Sequence, residues 1–151
     1  MSDHNIQKKI AIINDISGFG RCSITVELPI ISHMKVQCCP IPTSIFSNHT
    51  AYDSFYFEDF TEHMIPYIEE WKKLGLTFDG IASGFLGSAR QIEIVQNFFK
   101  YFKSQNTIII LGPIDSNFLV SSASSFNFHC FLYGVSVKIH ASVRFGVMIS
   151  A

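Results

Sequence analysis

Residues 9–14, Lys-Ile-Ala-Ile-Ile-Asn, run from a charge through apolar positions to a polar stop, the pattern of a strand buried on both faces of a parallel sheet. The next stretch, Asp15-Ile-Ser-Gly-Phe-Gly-Arg, reads as a loop. Residues 22–34 place apolar side chains at helical spacing, with Ser23 as a cap and Pro29 predicting a kink or an altered first turn. A second strand is predicted over 36–41. The Pro-, Ser-, Thr- and Asn-rich segment 42–60 then reads as a long connection with little regular structure, a length that points to function.

From 61 to 74, Met64, Ile65, Ile68, Trp71 and Leu74 mark the apolar face of an amphipathic helix, Glu62, Glu69, Glu70, Lys72 and Lys73 the polar face, and Gly75 the stop. A strand over 78–83, a glycine-bearing loop over 84–88, a helix over 89–103 and a strand over 107–111 follow. Ile92, Ile94, Val95, Phe98, Phe99 and Phe102 are available for the buried side of that last helix. Alternating strands and helices imply an α/β fold with right-handed crossovers, a mostly parallel sheet and helices on both of its faces. The pattern then changes. Residues 118–151 scatter apolar residues among serines with Lys138 and Arg144 as the charges and no helical period, which reads either as two or three short strands or as a tail of non-native sequence. The division expected is 1–113 for the α/β part and 114–151 for an atypical apolar, Ser-rich tail.

With 151 residues and 48% hydrophobic content the chain can bury a real core. Lys and Arg number 11 against 12 for Asp and Glu, a balance that supplies no basic field for nucleic-acid backbones. The opening Met-Ser-Asp-His-Asn-Ile-Gln-Lys-Lys leads into an apolar run too short for a secretory signal or a membrane span, so the expected address is cytoplasmic. Cys22, Cys38, Cys39 and Cys130 match neither a zinc site nor a disulfide framework and are expected to be reduced and mostly buried. His33, His63, His129 and His140 have no partner at metal-ligand spacing, and no metal site is expected.

Two segments could carry chemistry. Asn14-Asp15-Ile-Ser-Gly-Phe-Gly lies at the carboxyl end of the first strand, where open α/β sheets place ligands; its glycine pair would let backbone approach a ligand, while Asp15 or Ser17 hydrogen-bonds polar substituents. The alternative is an ordinary strand-to-helix turn, and neither a dinucleotide fingerprint nor a P-loop is present. Phe46-Ser-Asn-His-Thr-Ala-Tyr52 sets His49 among donors, acceptors and aromatic rings, which suits a planar polar heterocycle; a structural role for His49 is the competing reading.

Taken with Pro42-Thr-Ser-Ile-Phe and Phe78-Asp-Gly-Ile-Ala-Ser-Gly-Phe-Leu-Gly87, these segments resemble, in order and spacing, the opening half of pyridoxal kinases and bacterial pyridoxamine kinase-like proteins of the ribokinase-fold superfamily. The Ser-Asn-His-Thr block is the most specific. The resemblance covers residues 8–113, only the front part of the family, and implies a truncated three-layer α/β/α fold, usually homodimeric. It also implies transfer of phosphate from ATP, with magnesium, to the 5'-hydroxymethyl group of a B6 vitamer. Through it Asp15 falls where the first loop meets polar substituents of the pyridine. Ser44, Phe46, His49 and Thr50 fall on the loop lining the substrate pocket, and Phe85 where an aromatic ring covers the pyridine.

The departures bear on activity. Where the family carries an Asp-Pro-Val-Met-Gly-Asp type motif organising magnesium and phosphates, this chain reads Gly112-Pro-Ile-Asp-Ser-Asn117, with Gly112 and Asn117 in place of the acids and Asp115 at another offset. The family's Gly-x-Gly-Asp loop, source of the catalytic base and the anion hole, has no counterpart in the sequence, so no catalytic residue is assigned. The expectation is a B6-vitamer kinase by descent without kinase activity of its own. A non-catalytic vitamer-binding or dimerisation module and a hydroxymethylpyrimidine kinase-like fragment are the other readings.

Overall fold

The computed structural model describes residues 6–112, 127–132 and 135–140. Five strands form one sheet in the order β3-β2-β1-β4-β5, where β1 is Lys9–Phe19, β2 Gln37–Asn48, β3 Phe57–Asp59, β4 Gly80–Ser83 and β5 Ile108–Leu111. β2, β1, β4 and β5 run parallel, and β3 returns antiparallel along β2. The helices are α1 (Ile24–His33), α2 (Thr61–Lys73) and α3 (Ala89–Phe102). Two further strands, β6 (Asn127–Leu132) and β7 (Val135–His140), pair antiparallel with Leu132 opposite Val135. The rest of the predicted tail, including Asp115 and Asn117, lies outside the described residues.

Side-chain alternation along β1 divides the two faces. Ala11 and Ile13 join Ile41, Ile81 and Ile109 in the main core beneath α2 and α3. The opposite face carries Ile12 and Asn14, and the Asn14 side chain reaches Glu27 of α1. Helices therefore cover both faces. The α2/α3 side is held by rings: Phe98 lies 4.4 Å from Phe102, 5.9 Å from Phe78 and 6.4 Å from Trp71 between centroids.

Two segments differ from their sequence pattern. Strand β1 does not stop at Asn14 but continues through the supposed loop to Phe19, because β2 runs alongside and pairs Ile16 with Ile45, Ser17 with Phe46 and Phe19 with Asn48. Likewise, residues 42–48 of the supposed connection are the second half of β2, and 57–59 form β3. Pro42 hid the second half of this strand. Since the Gln37 N–H faces β1, bonding the Lys8 carbonyl at 2.9 Å, the positions of Pro40 and Pro42 face the other edge, which β3 reaches only at Ser44.

The helices start and stop nearly as the pattern predicts. Ser88 caps α3 by accepting from the Gln91 N–H at 3.2 Å. At the end of α2 the Gly75 and Leu76 amides bond the Lys72 and Trp71 carbonyls, the paired bonds of a Schellman stop. Within α2, Met64 and Ile68 are buried as expected, but Ile65 and Leu74 are 41% and 55% exposed, so the buried stripe is narrower than the apolar one. Ser23 does occupy the N-cap of α1, yet makes no capping bond, for a reason given below.

Replacing Phe98 by Ala should cost about 3–5 kcal/mol, the range for emptying a buried aromatic site. Chemical denaturation followed by Trp71 fluorescence would measure it, and a loss under 1 kcal/mol would show that the rings repack around the gap.

Candidate functional site

The polar residues of the sheet gather at the carboxyl ends of β1 and β4 and on the middle of β2. There β2 takes three steps from Pro42 to Ile45 while β1 takes two from Asn14 to Ile16, so Thr43 and Ser44 together stand opposite Asp15. This bulge moves the buried positions of β2 from Cys39, Ile41 and Thr43 to Ser44 and Phe46. Asp15 and Ser44, two of the residues singled out from sequence, are neighbours across the strands for this reason.

Asp15 is 6% exposed, and its carboxylate accepts from Ser17 Oγ at 3.0 Å and Ser23 Oγ at 2.6 Å. That second bond explains the uncapped α1: the Ser23 hydroxyl is turned back to Asp15. The turn that allows it is strained, with φ of 47° at Arg21 and 53° at Ser23. The two hydroxyls retain lone pairs, so the cluster presents both charge and adjustable hydrogen-bonding groups.

Asn14, 7% exposed, joins this cluster to the next loop. Its Oδ1 accepts from the Asp15 N–H at 3.0 Å and the Phe85 N–H at 2.8 Å, and its Nδ2 donates to both carboxylate oxygens of Glu27 at 3.3 Å. Gly84 makes room for it, since a Cβ there would lie 2.4 Å from the Asn14 carboxamide. From the other side, Thr43 Oγ1 donates to the Phe85 carbonyl at 2.9 Å. Gln91, fully buried in α3, donates to the Thr43 carbonyl and Thr61 Oγ1 and accepts from the Gly87 N–H. The loop bearing Phe85 is thus fixed at three points.

Phe46 is buried among Phe57, Phe55 and Phe85, at centroid distances of 4.9, 5.6 and 5.8 Å, and Phe85 itself remains 44% exposed. An edge-to-face pair with one open ring offers a stacking surface beside polar groups. Ser44 Oγ and Ser83 Oγ are buried without a hydrogen-bond partner. His49 and Thr50 stand apart, just past the end of β2, about 16 Å of strand beyond Ser44 at the usual rise per residue. The His49 amide bonds the Phe19 carbonyl at 2.8 Å, and its Nδ1 accepts from the Ala51 N–H at 2.9 Å, leaving Nε2 to carry the ring proton.

The glycine pair serves the sheet. A Cβ on Gly18 would meet the Ser47 carbonyl oxygen at 2.9 Å, and one on Gly20 would meet His49 Cβ at 2.6 Å, so both glycines allow β1 and β2 to approach each other. Sequence reasoning passed over Asn14 as a binding group, together with Glu27, Thr43, Ser83 and Gln91. A polar Gln91 at a core-facing helix position was the available signal. No pattern in the chain pointed to the pairing of Asn14 with Gly84, which are 70 residues apart.

No group of three or more His, Cys, Asp or Glu is placed to hold a metal among the described residues, and Gly112 packs its backbone on β4, its N–H bonding the Ser83 carbonyl at 2.7 Å. Cys39 is buried and Cys22 and Cys38 are half-buried, all three as free thiols; burial, with smaller contributions from Cys39 and Glu27, pushes Cys38 up to about 11. No helix among the described residues is long and apolar enough to cross a membrane.

An open, mostly parallel sheet with helices on both faces and a polar cluster at its carboxyl edge is the architecture of ribokinase-fold kinases. No family model matches the chain, and no curated protein does. Among solved structures it is similar to a putative phosphomethylpyrimidine kinase from Bacteroides thetaiotaomicron. The orthorhombic form of that protein, with pyridoxal, matches at 50% identity and a TM-score of 0.68 over 70% of this chain and 37% of that one. Its rhombohedral form matches at 49% and 0.71 over 74% and 38%. Pyridoxal kinase from Lactobacillus plantarum matches at 21% and 0.64 over 69% and 37%. Pyridoxal kinase from Leishmania donovani, solved with ADP and pyridoxamine, matches at 15% and 0.54 over 72% and 40%; for these last two the likeness is one of fold. The chain thus belongs to the ribokinase-fold family of the Bacteroides protein, and its likeness to the pyridoxal kinases is one of fold. The chain spans 37% to 38% of the length of the Bacteroides protein.

Substituting Gly84 by Ala should destabilise the fold by about 1–3 kcal/mol through overpacking against the buried Asn14 side chain. Thermal unfolding reads the effect, and an unchanged midpoint would mean that Asn14 has somewhere else to go.

Proposed function

We propose that residues 9–112 form the vitamer-holding part of a pyridoxal kinase-like phosphotransferase, and that the 151-residue chain by itself binds a B6-type pyridine without phosphorylating it. The observation that carries this reading is the Asn14 carboxamide, whose oxygen accepts from both the Asp15 and the Phe85 amide and so holds a carboxylate cluster and an open aromatic ring on adjoining segments. In this reading a planar pyridine lies against Phe85, backed by Phe46. The Asp15, Ser17 and Ser23 cluster and the unpartnered Ser44 hydroxyl then meet its polar substituents. His49 and Thr50 belong to the same site if the loop after β2 folds over the ring. Support comes from the Bacteroides relative, whose crystal was obtained with pyridoxal.

Phosphoryl transfer needs carboxylates for magnesium, a base for the attacking hydroxyl and donors for the transferred phosphoryl group, so that positioning and charge stabilisation act together. Gly112 and Asn117 supply no such carboxylate, and no Gly-x-Gly-Asp sequence occurs in the chain. ATP, which the Leishmania neighbour's ADP suggests for the family, is assigned to parts of the fold other than the described residues. The boundary at 113 and 114 and a cytoplasmic address belong to the same proposal.

Incubating the chain with pyridoxal, ATP and magnesium should give saturable pyridoxal binding, seen in the ligand's absorbance, and no pyridoxal phosphate above a protein-free control. Clear turnover would overturn the incompleteness, and absence of binding would overturn the site. A second reading, a hydroxymethylpyrimidine site, is favoured by the phosphomethylpyrimidine kinase description of the same Bacteroides protein. Competition between the two compounds decides which ring is preferred.

Phe19, Tyr52 and Tyr56, exposed at 64%, 50% and 63% on the β1 end and the β2–β3 hairpin, support the homodimer within this proposal. Light scattering should return twice the protomer mass, and a single-protomer mass at micromolar concentration would remove the dimer.

A further inference from the structure

The Asn14 carboxamide has an acceptor end and a donor end, and the two ends are held by different elements. Two backbone amides from β1 and from the loop after β4 fix the acceptor. The donor end reaches both oxygens of a carboxylate on α1. Without an acceptor at Glu27, a buried N–H pair would be left unpaired, and a primary amide in that position gains by rotating away from the amides it bridges.

Glu27 is an unfavourable residue to place there for stability alone. Burial raises its carboxyl above the usual range, the Asn14 bond lowers it, and the Asp15 charge raises it again. The titratable groups that face it are Asp15 of β1 and Cys38 of β2, and neither offers a positive charge. Because the folded value lies above the unfolded one, the stability linked to this group is fully present below the unfolded value and is lost as pH rises through the folded one. Ionised Glu27 therefore weakens the fold while it orients Asn14.

We propose that Glu27 is a positioning residue of the pyridine site: through Asn14 it holds the Asp15 and Phe85 segments in one mutual arrangement, without touching the ligand. The proposal rests on the pyridine-binding reading above for its ligand, and on hydrogen bonds alone for its geometry.

Glu27→Leu removes the acceptor, and Glu27→Gln keeps one acceptor oxygen while removing the charge. In Glu27→Leu the Asp15 and Phe85 amides should exchange with solvent faster by about tenfold, the effect of losing one buried hydrogen bond. The amides of Ile81 and Ile109 should accelerate less. Pyridoxal affinity should fall by about fivefold or more in Glu27→Leu and return to near wild type in Glu27→Gln. The melting temperature at pH 7 should fall in Glu27→Leu, which leaves the Asn14 N–H pair unpaired, and stay near wild type in Glu27→Gln. Unchanged exchange at Phe85 in Glu27→Leu, or acceleration there no greater than at Ile81 and Ile109, would overturn the positioning role. A wild-type chain that binds no pyridoxal would overturn the ligand assignment, and the exchange rates would still decide the role of Glu27.

Discussion

One carboxamide governs how this molecule is put together at its carboxyl edge. A buried amide must have its acceptor and donors satisfied, and Asn14 achieves this by drawing three separate segments to itself: its own strand, the loop after β4 and the first helix. Gly84 follows as a steric necessity, and the position of Phe85 follows from Gly84. Thr43 and Gln91 complete the same arrangement from the opposite face. Polar groups that are this fully satisfied specify geometry more sharply than apolar packing does, which is what a site requires of its support.

Support and core are separately built. The aromatic cluster of Trp71, Phe78, Phe98 and Phe102 and the aliphatic residues beneath α2 and α3 hold the sheet, and none of these residues takes part in the Asn14 network. On the other side of the sheet α1 buries little beyond Ile24, with Leu28, Ile30 and Met34 at 40%, 56% and 68% exposure, and Ile108 of β5 is 56% exposed. The α1 side is thus the thinner layer among the described residues, and it is the one that carries Glu27.

Much of the architecture was legible because it depends on local periodicity. The α2 and α3 segments, β4, β5 and the first half of β1 announce themselves through apolar spacing and through Gly75. Asp15, Ser44, Phe46 and Phe85 could be singled out through the family resemblance, and all four lie around the carboxyl edge of the sheet. What periodicity could not give was pairing. The second halves of β1 and β2 contain Gly18 and Pro42, residues that locally disfavour strands, and they are strands because each supplies the other's partner. The roles of Asn14 and Gln91 are equally non-local, since each is defined by partners dozens of residues away.

The bulge opposite Asp15 has a consequence of another kind. Before it, the inward positions of β2 are odd-numbered; after it, they are even-numbered, ending in Phe46. Unbroken alternation over the same residues would turn the Phe46 ring out of the sheet, with no chemical group of the site deleted. The count of residues along this strand is therefore itself a specification of which side chains face inward, and a shift in register there would be as damaging as the loss of a side chain.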